Sequence, residues 1–306
     1  MLSYMELRRH PARFQSLTGL SLTEFEVMVE RLIPLWEEAE VARLMRPNRK
    51  RAIGGGRHQT LALTSQLLMV ALWLRWYLST ETLGALFAID QSTVSRRLRP
   101  LLPLLRQISQ IEWPEPPTKG EGKSLVQAFH DYPDLLHILD VTEQPVERPQ
   151  AKAQQKRYYS GKQRCHTCKH AIGVNEHGLI RTISAVTPGS VHDLTHLRQS
   201  TLLDTIPSQV TVVADAGFAG LHTDLPDHSV VTPHKAQRNH PLLPDHKRIN
   251  CELSAVRVVV ENVIAHLKHF AILTHRFRHF VEKWHDHVFW IVAAIVNRRI
   301  LARLAT

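Results

Sequence analysis

The residues of this chain best suited to chemistry are three carboxylates far apart in the sequence. Asp140 and Asp215 each come at the end of a short apolar run, residues 135–141 and 209–214, and Glu261 lies in a helical stretch that no Pro or Gly interrupts. Buried strands that deliver a carboxylate at their ends, followed by a helix that presents another, can place all three around one point. The sequence therefore predicts a site made of carboxylates.

Such a cluster of carboxylates is stable only if it takes up protons or binds cations. Three carboxylates within about 4 Å of one another repel by about 4 kcal/mol per pair at an effective dielectric near 20, which rivals the whole stability of a domain. Oxygen ligands favour Mg²⁺ or Mn²⁺ over Zn²⁺, and two such ions can activate water and stabilise the leaving oxygen during displacement at phosphorus. We expect Asp140, Asp215 and Glu261 to be both the metal ligands and the catalytic residues.

The helix that carries Glu261 also carries two cations. Arg257, Glu261 and Lys268 lie at offsets of 0, 4 and 11 residues, which share one helix face at 3.6 residues per turn. Taken alone, this pattern is equally typical of an exposed stripe of salt bridges.

Composition narrows the class of partner. The chain has 306 residues, 43% of them apolar, and its 38 Lys and Arg against 28 Asp and Glu give a net charge of +10. This excess favours a polyanion, with nucleic acid ahead of an anionic membrane surface. The odd count of three cysteines argues against a secreted disulfide framework, and the first residues lack the apolar core of a signal peptide. We expect a cytoplasmic, DNA-associated protein.

Three closely spaced helices are predicted over about residues 61–105. The first is apolar nearly all round, Thr80 caps a short second helix, and Ser92 caps the third. A helix-turn-helix needs such a third helix, because its N-terminus enters the major groove. The residues that it leaves for DNA are polar or basic: Ser92, Thr93, Ser95, Arg96 and Arg97. We therefore predict a helical DNA-binding region over residues 1–111, a Pro- and Gly-rich boundary near 112–123, and a strand-containing domain over 112–306.

Several motifs together indicate a family. They are YYSGKQRCHTCK (158–169), ILDVTE (138–143), VVADAGFAG (212–220), PGSVHD (188–193) and the Arg257-x3-Glu261-x6-Lys268 helix. In this order they resemble the DDE transposases of insertion-sequence-five type and the related Harbinger group, over nearly the whole chain. Many relatives carry Tyr three residues before the arginine, where this chain has Ser254.

The resemblance implies an α/β, RNase H-like catalytic domain whose triad Asp140, Asp215 and Glu261 holds two Mg²⁺ ions, with Mn²⁺ as an alternative. In that family water hydrolyses a phosphodiester at each element end, and the freed 3′-hydroxyl attacks target DNA. The implied partners are double-stranded DNA, as terminal inverted repeats and target, and a second copy in a dimer. By analogy, Arg257 and Lys268 would orient DNA phosphates or Glu261.

The YYSGKQRCHTCK stretch permits two interpretations. Cys165-x2-Cys168, with two nearby histidines, suggests zinc, but a structural zinc site needs four ligands and the remaining cysteine is distant in sequence. We favour a strand and turn in which Lys162, Arg164 and Lys169 face DNA.

Three further residues and two rival functions stay open. Asp193 and His192 are candidates to assist the metal site, but Asp193 equally suits a helix N-terminus near Ser190, and Glu143, close to Asp140 in sequence, is a weaker candidate to support the metal ligands. The rival functions are a domesticated DDE nuclease that does not transpose, and a helix-turn-helix regulator whose carboxylates are structural.

Overall fold

The computed structural model describes residues 2–45, 61–109, 111, 135–236, 241–279 and 281–304. The predicted boundary at 112–123 lies outside the described residues. The chain divides into two compact units, the first made of Met1–Gln110, His269–His275 and Lys283–Ile295, the second of Ile111–Lys268, Arg276–Glu282 and Val296–Thr306. The units are interleaved in sequence, because two late stretches belong to the first one. None of the described helices is long and apolar enough to cross a membrane.

The first unit is helical. Its N-terminal helices are α1 (Tyr4–Leu7), α2 (Pro11–Thr18), α3 (Leu22–Leu44), α4 (Leu63–Trp76), α5 (Thr80–Phe87) and α6 (Gln91–Gln107). A capping box starts α3, since the Ser21 side chain accepts the Glu24 N–H while the Glu24 carboxylate accepts the Ser21 N–H. Helix α4 is buried at nine successive positions, which confirms the predicted buried helix.

Helices α4 to α6 form the predicted helix–turn–helix arrangement with two corrections at the caps. Ser79, not Thr80, caps α5, and its Oγ accepts the Thr82 N–H at 3.0 Å. Helix α6 has Asp90 as its N-cap, so Ser92 lies in the first turn rather than at the cap. In both cases the helix begins one or two residues earlier than the hydroxyl pattern predicted.

The turn between α5 and α6 depends on a glycine. A Cβ at Gly84 would lie 2.6 Å from the carbonyl oxygen of Ile89, a distance that no side chain tolerates against backbone. Ala88 adopts the left-handed conformation with φ 53°, which ends α5 and turns the chain toward α6. The close approach of the two helices therefore requires Gly at position 84.

The second unit contains a mixed sheet. The described strands are β1 (Leu136–Pro145), β2 (Tyr159–Ser160), β3 (Cys165–Val174), β4 (Ile180–Ile183), β5 (Thr187–Pro188), β6 (Thr211–Ala214) and β7 (Val230–Val231). Their order is β2–β3–β1–β6–β7, and β4 and β5 also pair with β3. Strand β1 runs antiparallel to β3 and parallel to β6, and β7 is parallel to β6.

The remaining helices follow or join these strands. They are α7 (Lys152–Tyr158), α8 (Asp193–Gln199), α9 (Leu221–Asp224), α10 (Pro244–Lys268) and α11 (Val281–Leu304), with short 3-10 turns at Leu203–Thr205, Ala216–Phe218 and Ala271–Leu273. The chain is thus mixed α/β with an N-terminal helical region, as predicted. Helix α10 is longer at its N-terminus than the predicted stretch 250–270.

The two faces of β1 have different surroundings, because successive side chains of a strand point to opposite faces. Leu139 belongs to a buried cluster with Leu197 of α8 and with Phe218. Asp140 therefore points to the other face. Helix α10 packs against the sheet through its buried Val260, Val263 and Leu267.

Candidate functional site

Strand register sets Asp140 and Asp215 side by side. Strands β1 and β6 are parallel, and the last pair of their register is Leu139 with Ala214. The next residue on each chain is an aspartate, so both carboxylates leave the sheet at the same level and on the same face. Neighbouring strands lie about 4.8 Å apart. The predicted proximity of the two aspartates thus follows from one parallel pairing.

The predicted position of Asp140 at a strand end is wrong. Strand β1 continues for five residues beyond it to Pro145, because β3 pairs with it along that length, from Asp140 opposite Ile172 to Pro145 opposite Thr167. Asp215 does follow its strand, β6, directly. Each aspartate accepts a 2.7 Å hydrogen bond at Oδ1 from the next backbone N–H, that of Val141 or Ala216, which orients the carboxylate.

Helix α10 brings Glu261 and Arg257 to the same face of the sheet. Arg257 Nη1 lies 3.1 Å from Asp215 Oδ1, and its Nη2 lies 3.8 Å from Glu261 Oε1. The Arg257 side chain is 15% exposed, against 47% for Asp215 and 57% for Glu261. The Arg257 guanidinium thus lies between Asp215, which follows the strand, and Glu261 on the helix. It is more buried than either carboxylate, and both carboxylates are exposed to solvent.

Asp140 is the partly buried member of the group. Burial raises the pKa of its carboxyl above the ordinary value, and the nearby charges of Asp215 and Glu261 raise it further. The Val141 N–H and the Arg257 guanidinium act in the opposite direction and lower this pKa. All three predicted carboxylates and Arg257 therefore share one electrostatic environment.

The donor set suits a hard divalent cation, although the side chains are not in a ligating arrangement. Carboxylate oxygens on one face, two of them well exposed, are the ligands that Mg²⁺ and Mn²⁺ prefer. Within the described ranges, no three His, Cys, Asp or Glu side chains are grouped so as to hold one ion. Asp215 and Glu261 are instead directed toward Arg257.

Lys169, predicted to face DNA, is buried on the opposite face of the sheet. It is 5% exposed, and its Nζ donates to Asp193 Oδ1 at 2.9 Å and to the Val191 carbonyl at 2.7 Å, with Glu143 Oε1 at 3.7 Å. Lys169 is thus buried and paired with two carboxylates, which differs from its predicted position facing DNA.

Glu143 and Asp193 belong to this second cluster and not to the first. Glu143 lies three residues after Asp140 on the same strand, so its side chain is on the opposite face, where its Oε2 accepts from Thr167 Oγ1 at 2.7 Å. Asp193 is the first residue of α8, next to the N-cap His192. Of the alternatives for Asp193, the structure favours the helix N-terminus.

The two cysteines of the zinc-like motif also lie on opposite faces of one strand. Cys165 is partly buried and Cys168 fully buried on β3, three residues apart, and neither forms a disulfide. His170 Nδ1 is within 2.8 Å of the Ser184 carbonyl oxygen. This arrangement does not fit a tetrahedral zinc site.

The other predicted DNA-binding residues differ in their exposure to solvent. Lys162 and Arg164 are exposed between β2 and β3, and Lys268 is exposed at the end of α10. On α6, Arg96 is exposed, and its guanidinium donates to the Ser92 carbonyl and to the hydroxyls of Ser92 and Thr93 at 3.1–3.2 Å. Thr93, Ser95 and Arg97 are partly buried.

The contact that sequence analysis missed is the one between Arg257 and Asp215. Arg257 was assigned to phosphates or to Glu261, four residues further along the helix. The available signal is the helical spacing of Arg257 with the buried Val260 and Leu267, which places the arginine at the edge of the helix face that packs on the sheet.

Comparison with known proteins identifies the family. Residues 139–297, about half of the chain, match the DDE superfamily endonucleases, and residues 59–110 match the helix-turn-helix of DDE superfamily endonucleases. The probable transposase for insertion sequence element IS702 of Microchaete diplosiphon is 27% identical over 266 residues, which cover 87% of each chain. No solved structure matches the chain significantly. The chain belongs to the DDE superfamily transposases, with a helix-turn-helix followed by an endonuclease domain.

Proposed function

We propose that this protein is a DNA transposase that binds the ends of a mobile element, hydrolyses a phosphodiester there and joins the freed 3′-hydroxyl to target DNA. The observation that carries the proposal is the placement of Asp140, Asp215 and Glu261 on one face of the sheet within a matched DDE endonuclease domain. The similarity to the probable transposase of Microchaete diplosiphon supports transposition as the process.

Asp140, Asp215 and Glu261 are the proposed metal ligands. Two Mg²⁺ ions, with Mn²⁺ as an alternative, would make water a better nucleophile and offset the negative charge on the leaving oxygen. The short backbone hydrogen bonds to the two aspartates fix the direction of their carboxylates, so that the scissile phosphate meets a preorganised site. The order β4–β3–β1–β6–β7, antiparallel on one side of β1 and parallel on the other, supports an RNase H-like domain.

DNA recognition is proposed for α6 and for the turn before β3. The N-terminal turns of α6 carry the exposed Ser92 and Arg96 and the partly buried Thr93, where a major groove would admit them. Lys162, Arg164 and Lys268 supply exposed charge on the endonuclease unit. Because contacts between these cations and phosphates release counterions, affinity for DNA should fall steeply with salt. Two element ends must be handled together, which is the reason for proposing a dimer.

The test is strand cleavage on labelled duplexes taken from the DNA that flanks the coding sequence, with Mg²⁺ or Mn²⁺. Wild type is compared with Asp140→Ala, Asp215→Ala and Glu261→Ala. The matched control is Glu252→Ala, an exposed acid on the opposite side of helix α10, nine residues before Glu261. We expect metal-dependent nicking that each triad variant abolishes and the control retains, with DNA binding unchanged throughout.

Two outcomes favour the rival functions. Nicking without joining to a second duplex favours a domesticated nuclease. Binding without nicking in the wild type, equal with and without Mg²⁺, favours a helix-turn-helix regulator, and the catalytic assignment then fails.

A further inference from the structure

Arg257 occupies the place between two proposed metal ligands. Its two terminal nitrogens face different carboxylates, Asp215 at 3.1 Å and Glu261 at 3.8 Å. The arginine is the more buried partner of both pairs, so it is held by the protein rather than by chance contact in solvent. A guanidinium in this position neutralises charge that a divalent cation would otherwise neutralise.

Arginine and a divalent cation cannot share these oxygens without cost. Both carry positive charge, and repulsion at such short range is strong in a partly buried site. Asp215 Oδ1 already accepts from the Ala216 N–H and faces Arg257, which leaves that oxygen little capacity for a further ligand. The guanidinium therefore opposes metal binding at Asp215 Oδ1 and Glu261 Oε1 unless it withdraws or weakens its hold.

The guanidinium is incompletely satisfied where it lies. Among the described residues, Arg257 Nε is buried without a hydrogen-bond partner. A buried unpaired donor costs free energy, and a phosphate oxygen would supply the missing acceptor. Arginine binds phosphate through parallel N–H donors, so a nearby DNA backbone offers it a better partner than the two separated carboxylates.

We propose that Arg257 is an internal counter-ion that competes with divalent cations for Asp215 and Glu261, and that DNA relieves this competition by binding Arg257. The inference rests on the proposed function, since it takes these carboxylates as the metal site. Its consequence is an order of events: without DNA the site binds metal weakly, and with DNA it binds metal well. The protein without DNA then binds less metal, which reduces nicking at unintended DNA sites.

The experiment measures Mn²⁺ affinity by electron paramagnetic resonance, with and without a duplex from the flanking DNA. The variants are Arg257→Ala and Arg257→Gln, and the control is Arg248→Ala, an exposed arginine on the same helix. Without DNA, we expect both Arg257 variants to bind Mn²⁺ about tenfold more tightly than wild type, within the range usual for coupled sites. Arg248→Ala should match wild type.

Coupling to DNA separates this inference from simpler accounts. In the wild type, DNA should raise Mn²⁺ affinity and Mn²⁺ should raise DNA affinity by the same factor, because linkage is reciprocal. In Arg257→Ala most of that factor should vanish. Coupling through ions that touch DNA directly would persist in the variant. An Arg257→Ala protein that binds Mn²⁺ no better than wild type overturns the inference.

Two measurements keep the test decisive. The effect of DNA on Mn²⁺ affinity is measured on the wild type alone. If DNA has no effect, the inference is contradicted even when Arg257→Ala fails to fold. The double variant Asp215→Ala, Glu261→Ala should lose the Mn²⁺ site. Its signal in the presence of DNA therefore gives the background from Mn²⁺ bound to DNA alone. If it binds Mn²⁺ as the wild type does, the proposed function itself fails. If it loses Mn²⁺ while Arg257→Ala gains none, the proposed function stands and this inference alone fails.

Discussion

Two groups of acids lie on opposite faces of strand β1, each around one cation. On one face, Glu143 and Asp193 surround Lys169, which is almost fully buried and donates to the Asp193 carboxylate and to a backbone carbonyl. On the other face, the Arg257 guanidinium pairs with Asp215 and Glu261, and its charge also acts on Asp140. The first group has two carboxylates for one cation, and the second has three.

The difference shows how a structural group can be distinguished from a reactive one. In the group around Lys169 the cation is 5% exposed and donates to Asp193 and to the Val191 carbonyl, while Thr167 donates to Glu143. The Arg257 group carries one more negative charge, two exposed carboxylates and a buried donor without an acceptor. Excess charge, exposure and an unsatisfied donor indicate a place where further partners bind.

The largest effect should come from exchanging one acid on each face for its amide. Asp140→Asn should lower the cleavage rate by about a thousandfold or more, because metal ligation supplies several kcal/mol to phosphoryl transfer. Glu143→Gln should stay within about tenfold of wild type, or 1.4 kcal/mol. The measurement is single-turnover cleavage of the flanking-DNA duplex. Equal losses in the two variants would remove the distinction between the faces.

The group of Glu143, Asp193 and Lys169 can be tested by replacing its buried cation, Lys169. Lys169→Met should lower the free energy of unfolding by roughly 3–5 kcal/mol, because it leaves Glu143 and Asp193 without their counter-ion. Lys162→Met, at an exposed position in the same motif, should change it by less than about 0.5 kcal/mol. Urea unfolding followed by circular dichroism measures both. A Lys169→Met protein as stable as Lys162→Met would show that the lysine is dispensable.

Acid should lower the free energy of unfolding through His196, which lies near Lys169. Burial, reinforced by the nearby charges of His170 and Lys169, lowers the pKa of this imidazole from 6.5 to about 4. Below pH 6.5, His196 is therefore protonated in the unfolded chain, whereas in the folded chain it becomes protonated only near pH 4. The free energy of unfolding should fall across this window as the pH falls, by up to about 3 kcal/mol from this residue.

The control for this prediction is His196→Gln, which has no titrating ring. The side chain of His196 hydrogen-bonds with Ser184 and Thr187, so the variant starts from a lower stability at pH 7. Its loss of stability between pH 6.5 and 4 should nevertheless be shallower than that of wild type. Parallel curves for the two proteins would mean that His196 is not buried in the neutral form.

The smallest effect concerns exposed cations, which contrast with Lys169. Arg96→Ala should weaken binding to the flanking duplex and reduce the slope of log affinity against log salt by about 1 if the arginine contacts a phosphate. Unfolding should be nearly unaffected, since Arg96 is exposed. Fluorescence anisotropy over a range of salt concentrations gives the slope. An unchanged slope would exclude a phosphate contact by Arg96.

Much of the candidate site could be predicted from the sequence because the strands and the helix that form it have recognisable local sequence patterns. Apolar runs that end in Asp140 and Asp215, and the spacing of Arg257 and Glu261 along a helix, depend on short-range periodicity alone. Strand alternation could also have excluded Glu143 and the zinc-like cysteine pair, because residues three apart on a strand lie on opposite faces.

The errors arose where distant partners decide the outcome. Strand β1 extends beyond Asp140 because β3 pairs with it, which composition does not reveal. Lys169 lies in a basic stretch that looks exposed, yet its partner Asp193 is 24 residues away and becomes a neighbour only in the fold. The contact between Arg257 and Asp215 joins a helix to a strand in the same way.

The parallel pairing of Leu136–Leu139 with Thr211–Ala214 has a consequence for how this chain can vary. The distance between Asp140 and Asp215 is fixed by strand register and not by the length of the segment that joins the strands. Lengthening a loop costs little closure entropy, so extra residues at the exposed turn 161–164 should leave both aspartates in place. Insertions between the strands should therefore leave the proposed metal ligands in place, whereas a one-residue slip of β6 would direct the Asp215 side chain toward the core.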